Sequence, residues 1–313
     1  MTVLITGGKG FIGSTIARQL VEQGERPLCL DIRGTPGRLA DIIERVELMD
    51  GGIPGVDELR RLLENRRVDQ LVHSVFFMSA PGSAEEVHQE VEIMVKQTVD
   101  LFEAARLAGV RRVIFPSSIH YYGPQWLHGE VSLGEEHPGL AMDIYGVAKK
   151  LGEVTAHFYN MRVPGMRIIS LRVPAVYGIG GRYGARGVNV AAYNCARGDA
   201  AQLPFAADDH VCLGDVQDVA RAMITLLQAP SPAHEVYNVG GHTRSYGELA
   251  ALVQRFLPDA QITFDETTGR TDLPYRIDSS RIRAEFGFEH RPLEAGYRAL
   301  IDHTRAQAGL PPL

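Results

Sequence analysis

The chain has 313 residues, of which 45% are hydrophobic and 22% charged, and its net charge is −6. That length slightly exceeds what one hydrophobic core usually serves, so a large domain with a smaller lobe is expected, and the negative balance argues against nucleic acid or an anionic membrane as main partner. Three scattered cysteines, Cys29, Cys195 and Cys212, have neither CxxC nor zinc-type spacing, which excludes a disulfide framework and yields no metal site.

Met1 leads directly into a strand-like run, with no charged and apolar leader. No apolar run reaches the roughly 18 residues of a membrane span, and a cytoplasmic location is expected. In chain order, Thr2–Ile5, Leu28–Leu30, Gln70–His73, Val113–Phe115, Ile168–Arg172 and Val236–Val239 read as buried strands of a largely parallel sheet. Amphipathic stretches alternate with them at Phe11–Gln23, Val56–Asn65, Glu85–Ala108 and Ile144–Asn160. Gly24 and Gly109 follow two of these, where helices tend to stop. Such alternation predicts a doubly wound α/β fold with right-handed crossovers.

The character changes after Tyr177. Gly178–Gly187 is dense in Gly and Arg, and helices are expected at Val216–Gln228, Tyr246–Phe256 and Leu293–Ala308, with a strand at Gln261–Asp265. The predicted division is a dinucleotide-binding domain over residues 1–177, to which 213–240 returns. A smaller, discontinuous C-terminal lobe for substrate takes 178–212 and 241–313.

Gly7, Gly8, Gly10 and Gly13 follow the first strand and open the first helix. In that context the glycines let backbone approach a pyrophosphate, whose charge meets the amides and dipole of the helix N-terminus. Phe11 and Ile12 lie in that turn. Asp31 closes the second strand, where a carboxylate takes the adenosine ribose hydroxyls and repels a 2′-phosphate, favouring NAD over NADP. Lys9 and Arg33 pull the other way, since either neutralises such a phosphate. Asp50 falls where an acid contacts adenine.

Ser117 and Ser118 end a strand at the carboxyl edge of the sheet, where open α/β folds place ligands. Tyr145 and Lys149 are one helical turn apart. A free phenol titrates near pH 10, so a base working near neutrality needs a shift of about three units, or ~4 kcal/mol. A cation at 4 Å contributes about 4 kcal/mol at an effective dielectric of 20 and about 1 in water. Lys149 together with an oxidised nicotinamide therefore suffices in a cleft that excludes water. Tyr145 is the expected proton acceptor from an alcohol, and Ser118 the hydrogen-bond donor to its oxygen.

With these residues in place the chain resembles the extended short-chain dehydrogenase/reductases, the NAD-dependent epimerase/dehydratase family. The likeness rests on Thr6-Gly-Gly-x-Gly-x-x-Gly13, Ser117-Ser118, Tyr122-Gly123, Tyr145-x-x-x-Lys149, Leu171-Arg172, Val176-Tyr177-Gly178, Asp218-Val-Ala220 and Tyr237-Asn-Val-Gly240. It implies a Rossmann domain holding NAD(P), with Pro174 among the cofactor residues, and Ser118, Tyr145 and Lys149 as catalytic triad. Lys149 would also hold the nicotinamide ribose. The resemblance further implies a homodimer through Glu85–Ala108 and Ile144–Asn160, whose far sides carry Val91, Val95, Val154 and Phe158 unless these face the sheet.

Departures from the family pattern narrow the chemistry. Dehydratases of the family place Asp-Glu after the active-site hydroxyl, whereas this chain has Ile119-His120, which argues against sugar dehydration. Members that grip a nucleotide diphosphate carry an Asn before Val-Tyr-Gly and an Arg ahead of the Asp-Val helix; here stand Ala175, and His210 or Val211. A helix position that is often Asn is Met94. Ser117 to His120 is locally similar to uronate dehydrogenases, which implies that His120 bonds substrate hydroxyls and that Arg182 or Arg186 clamps a carboxylate. The leading expectation is hydride transfer at a secondary hydroxyl of a sugar-like polyol or sugar acid. One alternative is epimerisation of a sugar or nucleotide-sugar through a transient ketone. A non-catalytic dinucleotide sensor is the other; it would lack the Tyr or the Lys.

Overall fold

The computed structural model describes residues 2–32, 34–77, 84–181, 187–267 and 270–313. In chain order the elements are β1 (Val3–Thr6), α1 (Phe11–Glu22), β2 (Leu28–Asp31), β3 (Glu47–Asp50), α2 (Val56–Asn65), β4 (Gln70–His73), α3 (Ala84–Val91), α4 (Gln97–Leu107), β5 (Arg112–Ser118), α5 (Ile144–Arg162), β6 (Arg167–Val173) and β7 (Ala175–Tyr177). They continue with α6 (Val190–Ala196), β8 (Ala201–Leu203), β9 (His210–Asp215), α7 (Val216–Gln228), β10 (Val236–Asn238), β11 (His242–Ser245), α8 (Tyr246–Phe256), β12 (Ile262–Phe264), α9 (Ser280–Phe286) and α10 (Leu293–Gln307).

Among the described residues, seven strands form one sheet in the order β10-β6-β5-β4-β1-β2-β3. Every pairing within it is parallel. Its six predicted strands are all present, and β10 returns to the main sheet beside β6 as expected. Strand order reverses between β1 and β4, the switch point at which a doubly wound sheet opens a ligand crevice. The strands are apolar on both sides because helices cover both faces. Ile5, Ile16, Val72, Ile114 and Met223 belong to one cluster, and Leu4, Leu71, Val113, Phe102 and Phe115 to the other.

Several features depart from the sequence expectation, the unpredicted strands β7, β8, β9 and β11 and helices α6 and α9 among them. The edge strand β3, half-buried, was not predicted. Glu85–Ala108, read as one helix, is interrupted by a π-helical turn over Glu92–Lys96 between α3 and α4. A third cluster, built on Tyr177, Leu203, Val211, Tyr246, Leu249 and Tyr297, is served by a three-stranded β11-β9-β7 sheet and the β12-β8 pair. No helix among the described residues is long and apolar enough to cross a membrane.

Candidate active site

The turn between β1 and α1 is shaped by absent side chains. Gly7 has φ +71, and a Cβ there would lie 2.5 Å from the Ser74 carbonyl oxygen. A Cβ on Gly10 would lie 2.9 Å from the Gly7 carbonyl oxygen, and one on Gly13 would overlap that atom. Gly10 caps α1 without a side-chain acceptor, and no acidic residue occupies the first turn. The first-turn amides, those of Phe11, Ile12 and Gly13, thus have neither helical carbonyls nor a side chain to meet, which suits a bound anion. This cradle fits a dinucleotide pyrophosphate.

Asp31, the last residue of β2, is buried and accepts the Lys9 amide at 3.0 Å. The Lys9 side chain is buried too, with its ammonium ion-paired to Asp50 at the end of neighbouring β3. Of the two cations expected to neutralise a 2′-phosphate, Lys9 is therefore engaged by an acid. Pro174 is buried between β6 and β7. Arg33, Arg182 and Arg186 lie outside the described residues, as do Met78 to Ser83.

β5 carries Ser118 to the sheet edge, where it caps a short 3₁₀ turn over Ile119–Tyr122 and its hydroxyl accepts the His120 amide at 3.2 Å. Asp143 caps α5 by accepting the Gly146 amide at 2.6 Å. That start fixes the helix so that Tyr145 and Lys149 stand one turn apart on its buried face. Glycine is needed at two further positions: a Cβ at 146 would lie 2.6 Å from the His120 carbonyl oxygen, and one at 152 would collide with the Phe115 ring.

Ser118 sits close enough to the Tyr145 phenol to favour its ionised form. Lys149 donates to the Pro116 carbonyl at 2.7 Å, and its ammonium lies 5.4 Å from the Tyr145 ring centre. Burial pushes the Lys149 ammonium down to about 7, against the pull of Glu153. Burial also drives the Tyr145 phenol well above its ordinary value; Ser118 opposes this, and the charges of Asp143 and Glu90 add to it. Lys149 thus holds its place through a carbonyl, and the protein alone does not acidify the phenol.

Phe76 and Glu153 were not read as site residues from the sequence, whereas His120 and Met94 were singled out there. The Phe76 ring, largely exposed, packs edge-on against Tyr145 at 5.2 Å, and the His120 ring does so at 5.0 Å. Met94 lies within the π turn, accepts the Phe77 amide on its sulfur at 3.3 Å and packs with Tyr145 and Ala148. Behind the site, Glu153 takes two hydrogen bonds from Arg172, at 2.7 and 2.9 Å, and one from Ser117 at 2.5 Å. Of two open clefts, of about 250 and about 610 Å³, the first is lined by Glu153, Arg172 and Tyr121 and the second by His210 and Tyr275, and neither is lined by Ser118, Tyr145 or Lys149. Side-chain geometry, rather than cavity size, locates the chemistry.

A profile of the NAD dependent epimerase/dehydratase family matches residues 3–240, a span holding the glycine cradle, both serines, Tyr145 and Lys149. The chain belongs to that family. It is 28% identical over 276 residues to a UDP-glucose 4-epimerase of Streptomyces lividans, covering 80% of each chain. For several other curated relatives the match takes in only about half of their length. The fold superposes on the NAD complex of a Thermus thermophilus UDP-glucose 4-epimerase with TM-score 0.84, 24% identity and coverage of 97% of this chain and 99% of that one. A UDP-glucuronic acid 4-epimerase of Bacillus cereus, in complex with UDP-glucuronic acid and NAD, gives 0.86 at 20% identity, covering 98% and 100%.

Of the family's departures in this chain, Ala175 opens β7 and His210 opens β9, where its ring lies tilted on Tyr275 at 5.1 Å. Val211 is buried in the third cluster.

Proposed function

We propose that this protein is an NAD-dependent sugar epimerase, moving hydride reversibly at a secondary hydroxyl through a transient ketone. The observation that carries the reading is the buried Ser118–Tyr145–Lys149 group at the switch-point edge of a sheet whose first turn is a glycine cradle. The UDP-glucose 4-epimerase relatives favour epimerisation over net oxidation.

Gly7, Gly10, Gly13 and the amides of Phe11 and Ile12 would hold the pyrophosphate, Asp31 the adenosine ribose, and Lys149 the nicotinamide ribose, with Pro174 among the cofactor residues. Bound NAD would supply the hydride acceptor and a positive charge. Tyr145 takes the proton from the substrate hydroxyl as the carbinol C–H bond breaks and the C=O bond forms. Ser118 keeps that oxygen within reach and returns no proton of its own. On reversal Tyr145 gives its proton back to the carbonyl oxygen; rotation of the ketone between the two halves inverts the centre. Burial raises the phenol, so Tyr145 serves as base only when a positive charge brings it down toward the working pH, where proton transfer is most efficient. The cluster around Tyr177 and Tyr246 forms the substrate lobe, and two copies of the chain pair through α5.

The experiment gives purified protein NAD with UDP-glucose or UDP-galactose and follows sugar isomers by NMR while monitoring reduced nicotinamide. Interconversion without accumulation of reduced cofactor is expected; accumulation without isomers would instead establish a dehydrogenase. Tyr145→Phe should keep NAD binding and lower turnover by at least about 10²-fold. Undiminished turnover in that variant overturns the proton route.

A further inference from the structure

We infer that Arg38 bolts the Gly178–Gly181 turn down over the first turn of α1, so that a bound dinucleotide enters and leaves slowly. The inference rests on the reading of the glycine cradle as the pyrophosphate site.

Arg38 lies between β2 and β3, on a 3₁₀ segment over Gly37–Arg45. Its Nη2 and Nε both donate to the Gly180 carbonyl, at 2.6 and 3.1 Å, joining residues 142 apart in sequence. A guanidinium is planar and stays charged, so two donors on one oxygen make a directional, charge-assisted tie. Each end of the tie is itself fixed. Arg18 of α1 donates to the Arg38 carbonyl at 2.5 Å and grips both oxygens of Asp41, at 2.5 and 2.7 Å. On the far side the Gly178 amide donates to Asn189 Oδ1 at 3.0 Å, and the Gly181 amide closes the turn on the Gly178 carbonyl at 3.0 Å.

The turn lies on Phe11. A Cβ on Gly181 would come within 3.1 Å of Phe11 Cζ, and one on Gly180 within 3.8 Å of Phe11 Cδ2 and 3.0 Å of Arg38 Nε. Positive φ at Gly178 and Gly180, +131 and +89, brings the backbone there at no steric cost. Phe11 is the first residue of α1, and its amide is one of those assigned to the pyrophosphate. The roof over the cradle is thus pinned from the β2 side and from the β7 side at once. Such closure suits a reaction in which the nicotinamide must return the hydride it has taken, because a reduced cofactor that escapes strands the ketone. Arg38 is a positioning residue, acting through the turn. A roof slows entry and exit alike, whereas a direct contact with the cofactor slows exit alone.

The test loads wild type and Arg38→Met with ³²P-labelled NAD, without sugar, and follows release into excess unlabelled NAD, with association measured by rapid mixing. Release should quicken by about tenfold or more in Arg38→Met. Association should quicken with it, so that the dissociation constant moves much less than either rate. Arg38→Lys, a single point donor, should fall between the two. Gly181→Ala lifts the turn without touching Arg38, since its methyl would meet Asn189 Nδ2 at 2.7 Å and the Phe11 ring; it should give the same paired acceleration. Unchanged release in Arg38→Met overturns the bolt. Faster release with unchanged association also overturns it, by showing that Arg38 touches the cofactor directly. Failure of the underlying reading is separable, since a wild type that binds no NAD removes the cradle itself.

Discussion

Tyr145 and Lys149 are pushed in opposite directions by the same burial. Desolvation disfavours whichever form is charged, so it raises a phenol and lowers an ammonium. For Lys149 the result is a group near 7 in the fold against 10.5 in an open chain. The sign of the stability effect follows. Below pH 7 the folded protein keeps a buried charge and bears the whole penalty; between about 7 and 10.5 the folded state has shed the proton and the unfolded chain has not, so the penalty shrinks as pH rises. Lys149→Met should therefore stabilise the fold by on the order of 3 kcal/mol near pH 6, after allowing for the lost bond to Pro116, and by less near pH 9. Urea unfolding at both pH values measures the gap. A variant less stable than wild type at pH 6 would show that the ammonium is held by more than one carbonyl. Turnover should vanish in the same variant, a trade of stability for function.

The elements that carry the site differ in how they could be read. α1 and α5 follow from local pattern, a glycine turn before one and an Asp cap before the other, and their predicted bounds agree with the structure to within two residues. Gly13→Ala tests the first. Its methyl would overlap the Gly7 carbonyl and crowd Gly8, so the turn must open and NAD affinity should fall by at least about tenfold, read by calorimetric titration. An unchanged affinity would mean that the cradle is not the pyrophosphate site. Ser118, Tyr145 and Lys149 were legible because strand-end position and one-turn spacing are properties of short segments. His120 meeting Asp143 joins residues 23 apart, and Ser117 meeting Glu153 joins residues 36 apart; no local period encodes either. The strand β3 escaped notice because an edge strand of four half-exposed residues lacks the apolar run of its buried neighbours. The π turn around Met94 combines a non-local contact, the Phe77 amide on its sulfur, with a local one, Thr98 Oγ1 donating to its carbonyl at 2.8 Å.

At the scale of the whole molecule, an apolar surface on α5 is left without a partner among the described residues. Ile144, Val147, Leu151, Val154, Phe158 and Met161 recur along α5 at intervals of three and four, and each is between 38% and 61% exposed. That spacing is the seam of helices packed side by side. The opposite face of α5 meets the sheet through Ala156 and Tyr159, which settles the direction of Val154 and Phe158 that spacing left open. Val91 on adjacent α3 is exposed as well, whereas Val95 packs against the Met94–Tyr145 cluster instead. An apolar stripe of this length on a chain of net charge −6 is a liability in water unless covered, and a second copy presenting the same stripe covers it with two-fold symmetry. Phe158→Glu, placed near the middle of the exposed turns, should convert a dimer to a monomer by light scattering on a sizing column. NAD binding should survive, because the cradle lies on α1. A wild-type protein that runs as a monomer at all concentrations, or a variant that stays dimeric, would remove α5 as the interface and leave the stripe to another partner.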